Sequence, residues 1–553
     1  MEYLSSENKT VKIIHYALAI IIILYCVFLL SYTPVWIDND VWWHLKTGKY
    51  IIEHNYRLPK YDVFAWTSEK IEWDNHEWLS QIIFYKFYQL GESIIIGGMR
   101  CLTTFKTIIN SITFLLLFLL IIRRNKCITL ATVLTVMAIF GCRTLLYARP
   151  PILTFLFLVI FLHFIYRYRY ENLHFKWLII LPFLMILWVN LHGGFMMGII
   201  LVGAFLAGEI ILLIIIKLKM KQVVFYDNVR KERIIVLAIL LLSLVLASLI
   251  NPYGYRLYLL PLRVMKDPYL VEHNAELVPP PFWGTKTYYF LAALTILSFI
   301  ASRFKIKSIG ELLVVAFLMQ QSLSHSRHMS LFSLISTPFI AENLSRDAML
   351  CVSTLKIIRD KKGYILQSLF AVIIFIITMI NERYNIIRYS YFNSDLIKGI
   401  GYYKGDFPSE ACDFIILNDF EGRMYNNINI AGYLIWRLSP EYHKVFTDSR
   451  FDIFSGLFLE DALLVEYGVD EPQYPDKTWY KILDKWKINF IVVPKSVGLN
   501  KVITKDWILV YYNQPDPNRK LSGFNIYVKD KPENKDFIER CKKSFENLRK
   551  MYN

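Results

Sequence analysis

Charge is scarce in this chain: 20% of its 553 residues are Asp, Glu, Lys or Arg, 55% are hydrophobic, and the mean hydropathy is +0.36. A soluble protein needs more polar surface than that, so an ordinary soluble domain is excluded. Cysteine is sparse too. The seven cysteines lie mostly within or beside apolar runs and give no disulfide framework, which leaves Cys412 and Cys541 as one pair that could bridge. No small-residue cleavage site follows the first apolar run, so that run reads as a retained span and not a signal peptide. No internal repeat is visible, and this removes a common sequence sign of a transporter.

What the chain has instead is a series of long apolar runs. Eleven candidate spans cover residues 13–30, 103–122, 128–146, 152–166, 177–191, 196–216, 234–250, 288–301, 309–323, 329–344 and 364–380. Several are shorter than the ~20 residues of a perpendicular membrane helix, so their ends must borrow polar neighbours or the bilayer must thin. The formal net charge of +16 raises nucleic acid or acidic lipid as partners. Its distribution answers otherwise, because the basic residues fall in alternate loops: Lys9 and Lys12, Arg123 to Lys126, Arg167 to Lys176, Lys217 to Arg233, Arg303 to Lys307, and Arg346 to Lys362. That is the positive-inside pattern of a multi-pass protein with a cytoplasmic N-terminus, and no basic patch is left over for nucleic acid.

The same alternation puts the distinctive polar residues on the outer side. The first outer loop, 31–102, opens with Trp36-Ile37-Asp38-Asn39-Asp40-Val41-Trp42-Trp43-His44-Leu45. Two carboxylates one residue apart can serve a base and a metal, and oxygen ligands of this kind suit Mg²⁺ or Mn²⁺. The alternative is a solvated loop start within an interfacial aromatic belt. Further along this loop Asp74-Asn75-His76-Glu77 forms a second polar cluster that could join the first, or a turn capping a helix. Residues 78–90 carry apolar residues at helical spacing, as for a helix lying in the interface.

Four more polar stretches fall on the same face: Arg149-Pro150-Pro151; Asn190-Leu191-His192-Gly193-Gly194; Asn251-Pro252-Tyr253-Gly254-Tyr255-Arg256; and Ser324-His325-Ser326-Arg327-His328. Each could be a helix cap or an interfacial anchor, but together they point to a polar cavity that binds substrate. Residues 381–553 change character. Short apolar runs at 414–417, 490–493 and 508–512 read as strands, alternating with a helix over 479–486, and make a small extracytoplasmic α/β domain beyond a transmembrane domain of residues 1–380. Within it, residues 426–436 read as a glycine-opened helix, followed by a strand whose polar end brings Asp448, Arg450 and Asp452 together where an acceptor could be held.

With these residues in place, the chain resembles the GT-C class of polytopic membrane glycosyltransferases. The likeness rests on Asp38-Asn39-Asp40 just after the first span, the large first outer loop, the many spans and the C-terminal α/β domain. It also resembles a group of bacterial membrane proteins with Asp-x-Trp-Trp-His-Leu, Trp-x-Asn-x-His-Gly-Gly, and a C-terminal Gly-Tyr-Leu-x-Trp with Asp-x-Arg. The Trp-Trp-Asp-Tyr-Gly block of oligosaccharyltransferases has no counterpart here; Ala431-Gly432-Tyr433-Leu434-Ile435-Trp436 only echoes it. The resemblance implies a multi-pass protein of the inner (plasma) membrane that moves a sugar from a polyprenyl-phosphate carrier to a glycan, lipid or protein acceptor at the outer face.

Asp38 and Asp40 are then the catalytic pair and candidate metal ligands. His44, Asn190, His192, Tyr253, Asp448 and Arg450 are candidate substrate-binding residues, and Arg149, Arg256 and Arg327 are candidates to hold the donor phosphate. Two other classes stay open: a transporter or flippase of a lipid-linked or anionic solute, whose polar groups should gather near the midplane, and a sensory protein whose outer domain binds a partner.

Overall fold

The computed structural model describes residues 2–31, 39–94, 96–218, 231–302, 308–344, 407–454, 456–470, 477–504, 506–513 and 523–552. Asp38, the candidate span 364–380 and the first part of the C-terminal domain lie outside them. The chain forms two compact units, one from Met1–Thr33, Cys101–Tyr255 and Ala275–Arg388, the other from Pro34–Arg100, Arg256–Asn274 and Tyr389–Asn553. The first outer loop therefore belongs to the same unit as the C-terminal domain, a grouping that a division at residue 380 does not give. The physical reason is the loop's aromatic and polar content, which finds its partners in the sheet domain, as set out below.

The first unit is helical. Numbered in chain order through the whole protein, its helices are α1 (Glu2–Ser31), α4 (Gly98–Asn125), α5 (Ile128–Cys142), α6 (Pro151–Tyr170), α7 (Ile180–Leu191), α8 (Met196–Lys217), α9 (Lys231–Ser248), α12 (Lys286–Ala301), α13 (Ile309–Ser324) and α14 (Met329–Asn343). Five stretches among the described residues are long and apolar enough to cross a membrane: Ile13–Ser31, Gly98–Asn125, Ile128–Leu145, Pro151–Tyr170 and Gly193–Lys217. Phe175–Leu191, Lys286–Ala301 and Ile309–Ser324 are shorter apolar helices. Among the described residues five of the expected spans thus reach full length, while several of the other apolar runs end in a cap or turn before reaching it. Exposed Ile13, Phe183, Ile239, Leu242 and Phe290 give this unit the outward apolar surface of a lipid-facing bundle.

Close helix contacts in this unit depend on small residues. A Cβ on Gly310 of α13 would lie 2.5 Å from the Phe205 Cα of α8, and one on Gly208 would lie 2.3 Å from the Gly310 nitrogen. Buried charges are paired. Arg124 at the end of α4 reaches Glu311 at 3.0 Å and Glu342 at 3.1 Å, Tyr166 and Tyr170 donate to Glu311 at 2.9 and 2.8 Å, and Arg169 meets Glu209 at 2.6 Å.

The second unit is built on a four-stranded sheet, β1 (Arg423–Asn426), β2 (Ile488–Pro494), β3 (Trp507–Tyr512) and β4 (Phe524–Lys529), in the order β1-β2-β4-β3. β1 and β2 are parallel; β4 runs antiparallel to both β2 and β3, with Phe490 opposite Val528 and Val492 opposite Ile526. Its helices are α2 (Asp40–Glu53), α3 (Trp78–Ser93), α10 (Arg256–Met265), α11 (Pro268–His273), α15 (Ser409–Leu417), α16 (Ile428–Leu438), α17 (Gly456–Tyr467), α18 (Trp479–Lys485), α19 (Leu499–Val502) and α20 (Lys535–Tyr552). One sheet face packs Ile488, Ile491, Val493 and Tyr527 against Trp479, Ile482, Leu483 and Val465. The other packs Phe490 against Phe420, which also meets Phe537 of α20. With both faces covered, β2 reads as a continuous apolar run and not an alternating one.

The expected strands at 490–493 and 508–512 are β2 and β3. Residues 414–417, by contrast, close helix α15: a four-residue apolar run has no period of its own, and here Cys412, Phe414 and Ile415 bury one helical face. The strand expected after residue 436 is reduced to one isolated bridge, Val445 beside Ala65. Cys412 and Cys541 are free and buried. Burial pushes the Cys541 thiol up to about 12.

Candidate functional site

In the second unit, α2 begins at Asp40, so its carboxylate stands in the first turn, where the helix end carries unpaired amides and favours negative charge. Ser449 donates a hydrogen bond to it. The helix is held in place by Trp42, which packs edge-on against Phe407 at 5.3 Å and Tyr433 at 5.0 Å. Gly432 is required here, because a Cβ would come within 2.2 Å of the Asn39 carbonyl oxygen. The Gly-Tyr-Leu-x-Trp stretch is thus the seat on which the Asp40 turn rests.

One turn on, the buried His44 stacks on Trp43 and places its Nδ1 3.8 Å from the Glu77 carboxylate. Glu77 also lies 3.7 Å from His76, and His76 lies 4.0 Å from Asp452, to which Trp73 donates from Nε1 at 3.2 Å. The polar residues thus form two groups, the pair of Asp40 with Ser449 and the chain from His44 through Glu77 and His76 to Asp452, which share helix α2 and the 448–452 turn as supports. Sequence reasoning noted Asp74 to Glu77 as a cluster that could join Asp40 and grouped Asp452 with Asp448 and Arg450; it did not single out Ser449 or the approach of His76 to Asp452. Only proximity in the fold does that.

Asp448 and Arg450 sit differently from the acceptor grip expected of them. Arg450 is fully buried, its guanidinium held by Asp62 at 2.8 and 3.0 Å and by Asp448 at 2.8 and 2.6 Å, over the Trp73 ring. Asp62 also accepts from Ser68 and from the Phe64 and Ala65 amides. With two carboxylates on one guanidinium out of water, desolvation and then the second carboxylate raise the Asp448 pKa despite the arginine. These groups face each other and not solvent. They fix the 448–452 turn that presents Ser449 and Asp452.

Arg256 opens α10 and pairs with Glu72 at 2.8 Å and Asp74 at 2.9 Å, while Arg263, two turns on, takes Asp74 at 2.6 Å. Arg256 thus anchors the loop before His76. Its hydrogen bond holds the exposed Glu72 carboxyl below the usual range.

In the first unit, Arg149 pairs with Glu276 at 2.9 Å. The chain around Glu276 is zipped to the turn before α14: Arg327 N donates to Glu276 O at 3.0 Å, Ser326 N to Val278 O at 2.9 Å, and the His325 ring to Leu277 O at 2.7 Å. Burial, with the Arg327 charge, lowers His328 to about 4. Arg149 and Arg327 are thereby brought to one loop pair, and the Arg327 guanidinium is exposed.

Asn190 and His192 are used in the turns themselves. Asn190 donates to the Ile186 and Ile250 carbonyls, and His192 Nδ1 bonds Thr154 and the Gly194 amide. The diglycine admits Thr154, whose hydroxyl would be 2.4 Å from a Gly194 Cβ. The Tyr253 amide closes on Asn251 at 2.8 Å.

No protein-family model and no curated protein matches this sequence. Solved structures do. The chain shares its fold with an archaeal oligosaccharyltransferase. That protein is AglB from Archaeoglobus fulgidus, solved in complex with an inhibitory peptide and a dolichol-phosphate: the TM-score is 0.53 at 13% identity, over 87% of this chain and 69% of AglB. A second structure of the A. fulgidus enzyme, tethered by a disulfide bond to an acceptor peptide containing the NVT sequon, gives 0.52 at 13% identity, over 94% of this chain and 74% of that one. At this identity the likeness is one of fold: apolar membrane helices together with a C-terminal sheet domain, as expected, without the eleven spans being matched.

Among the described residues no three His, Cys, Asp or Glu side chains are grouped to hold a metal ion. Asp40 offers one carboxylate, within the one or two by which a protein usually holds Mg²⁺, with substrate phosphate and water completing the six oxygens.

Proposed function

We propose that the protein is a GT-C-type membrane glycosyltransferase that moves a sugar from a polyprenyl-phosphate carrier to a glycan, lipid or protein acceptor at the outer face of the plasma membrane. The observation that supports it most is the likeness in fold, over nearly the whole chain, to a sugar-transferring enzyme solved with a dolichol-phosphate. The positive-inside pattern supports a cytoplasmic N-terminus and an outer location for the sheet-bearing unit.

In this reading Asp40 is the general base. Its carboxylate takes the proton of the acceptor hydroxyl, the acceptor oxygen bonds to the anomeric carbon, and the bond from that carbon to the carrier's phosphate oxygen breaks with its electron pair. Ser449 orients the carboxylate, and Asp38 holds the acceptor or a metal. A guanidinium stabilises the charge that collects on the departing phosphate. Arg149, Arg256 and Arg327 are the candidates that the sequence offers for that guanidinium. Mg²⁺ or Mn²⁺ on Asp38 and Asp40 would add a further positive charge. The test is transfer from a radiolabelled polyprenyl-phosphate hexose by purified protein. Asp40→Asn should remain folded and lose transfer; wild-type product formation by that variant removes Asp40 from the chemistry.

A further inference from the structure

The first unit holds a cavity of about 230 Å³ that none of the above uses. Its walls are the end of α5 with the turn after it, the first turn of α12, and Met329. Gly141, in its wall, lets α5 pack closely on α14, since a Cβ there would lie 2.3 Å from the Ser333 hydroxyl. Two cations line it, Arg143 and Lys286, and no carboxylate does. Arg143 spends one N–H on the Gly284 carbonyl, and Lys286 lies over the Trp283 ring at 4.5 Å. Among the described residues neither cation has an acidic partner, and the Thr144 and Thr287 hydroxyls beside them have no protein partner. Such a lining is built for an anion with several acceptor oxygens.

The surroundings say which kind of anion. Trp283 is 80% exposed and Phe282 56%, at the tip of the loop leading into α12. Lys286, Phe290, Ala293 and Leu297 recur at helical spacing along one face of α12, and Phe290 and Leu297 are about 60% exposed. A cationic cavity thus stands above an apolar stripe, beside an aromatic knuckle of the sort that marks a membrane interface. We propose that the cavity binds the phosphate of an anionic phospholipid, with the acyl chains lying along the α12 stripe. The inference does not depend on the proposed transferase reaction.

Native mass spectrometry of the delipidated full-length protein tests it, with defined lipids added back. Phosphatidylglycerol should be retained over phosphatidylcholine. The Arg143→Gln/Lys286→Gln double variant should bind it about thirtyfold more weakly, each single variant about fivefold, at roughly one interfacial cation's worth apiece. Lys286→Arg should keep wild-type binding, which separates loss of charge from misfolding. Phe290→Ser/Leu297→Ser should weaken the lipid, too. The proposal is overturned by equal retention of phosphatidylcholine or by undiminished binding in the double variant. It is overturned equally by displacement with inorganic phosphate at the same concentration, meaning a free-anion site, or by preferential displacement with a polyprenyl phosphate, meaning a carrier site.

Discussion

Arg124 in the helical unit and Arg450 in the sheet unit each serve two carboxylates, Glu311 and Glu342 in one case, Asp62 and Asp448 in the other. Around Arg124 the network closes on itself: Tyr166 and Tyr170 complete the Glu311 carboxylate, and the cluster ties the ends of α4, α6, α13 and α14. Around Arg450 it stays open at one end. The residues on either side of the buried arginine, Ser449 and Asp452, reach Asp40 and His76. A buried ion pair is weak evidence for net stability, since desolvation offsets most of its attraction, but removing one partner is costly. What distinguishes the two clusters is therefore what they hold in place: helix ends in the first, a partly exposed set of carboxylates and imidazoles in the second.

That comparison can be broken at several points. The largest effect expected is on activity. Asp40→Asn should lower transfer by about 10²- to 10⁴-fold, the range for a lost general base, with little change in melting temperature. Arg450→Ala should cost about 3–5 kcal/mol by leaving two buried carboxylates unpaired, and Arg124→Ala a similar amount. Proteolysis should then separate them, with cleavage in the sheet unit for the first and in the helical unit for the second. A sheet unit that survives Arg450→Ala unchanged would end its role as the support of Ser449.

Acid should act on the sheet unit through His443. Its Nε2 donates to the Phe420 carbonyl at 2.7 Å, and burial lowers its pKa below the ordinary value of ~6.5. The unfolded chain then binds more protons than the folded one between those two values, so stability is present above pH ~6.5 and is lost as the pH falls toward the lowered folded value. Melting temperatures measured from pH 7.5 to 5 should fall less steeply in His443→Gln than in wild type. The smallest effect belongs to Arg256→Gln. Its ion pairs with Glu72 and Asp74 are 41% exposed on the arginine side, so the loss should stay below about 1 kcal/mol. A larger loss would mean that the α10 contact supports the 74–77 cluster more firmly than an exposed pair can.

The two units were also unequally legible. Long apolar runs report helices directly, and the starts of α6 at Arg149-Pro150-Pro151 and of α12 near Lys286 follow from proline and composition. The short runs of the sheet unit are harder: 490–493 and 508–512 are strands while 414–417 ends a helix, because four apolar residues carry no period. Strands β1 and β4, containing Arg423 and Asn525, lacked an apolar signal strong enough to single out. For the candidate site, the sequence motif singles out Asp40, which the fold sets beside Ser449. The burial of Asp448 and Arg450 was not legible, since Asp-x-Arg looks the same in a buried triad and on an open surface. Their partner Asp62 lies 388 positions away in sequence, and nothing local announces it.

The measurement that bears most directly on the proposed function is the choice of donor. Purified protein should be given an outer-surface glycan acceptor together with either a radiolabelled polyprenyl-phosphate hexose or the corresponding nucleotide sugar. Transfer from the lipid-linked donor, absent with the nucleotide sugar and lost in Asp40→Asn, is the result expected. Efficient transfer from the nucleotide sugar with no lipid carrier present would contradict it.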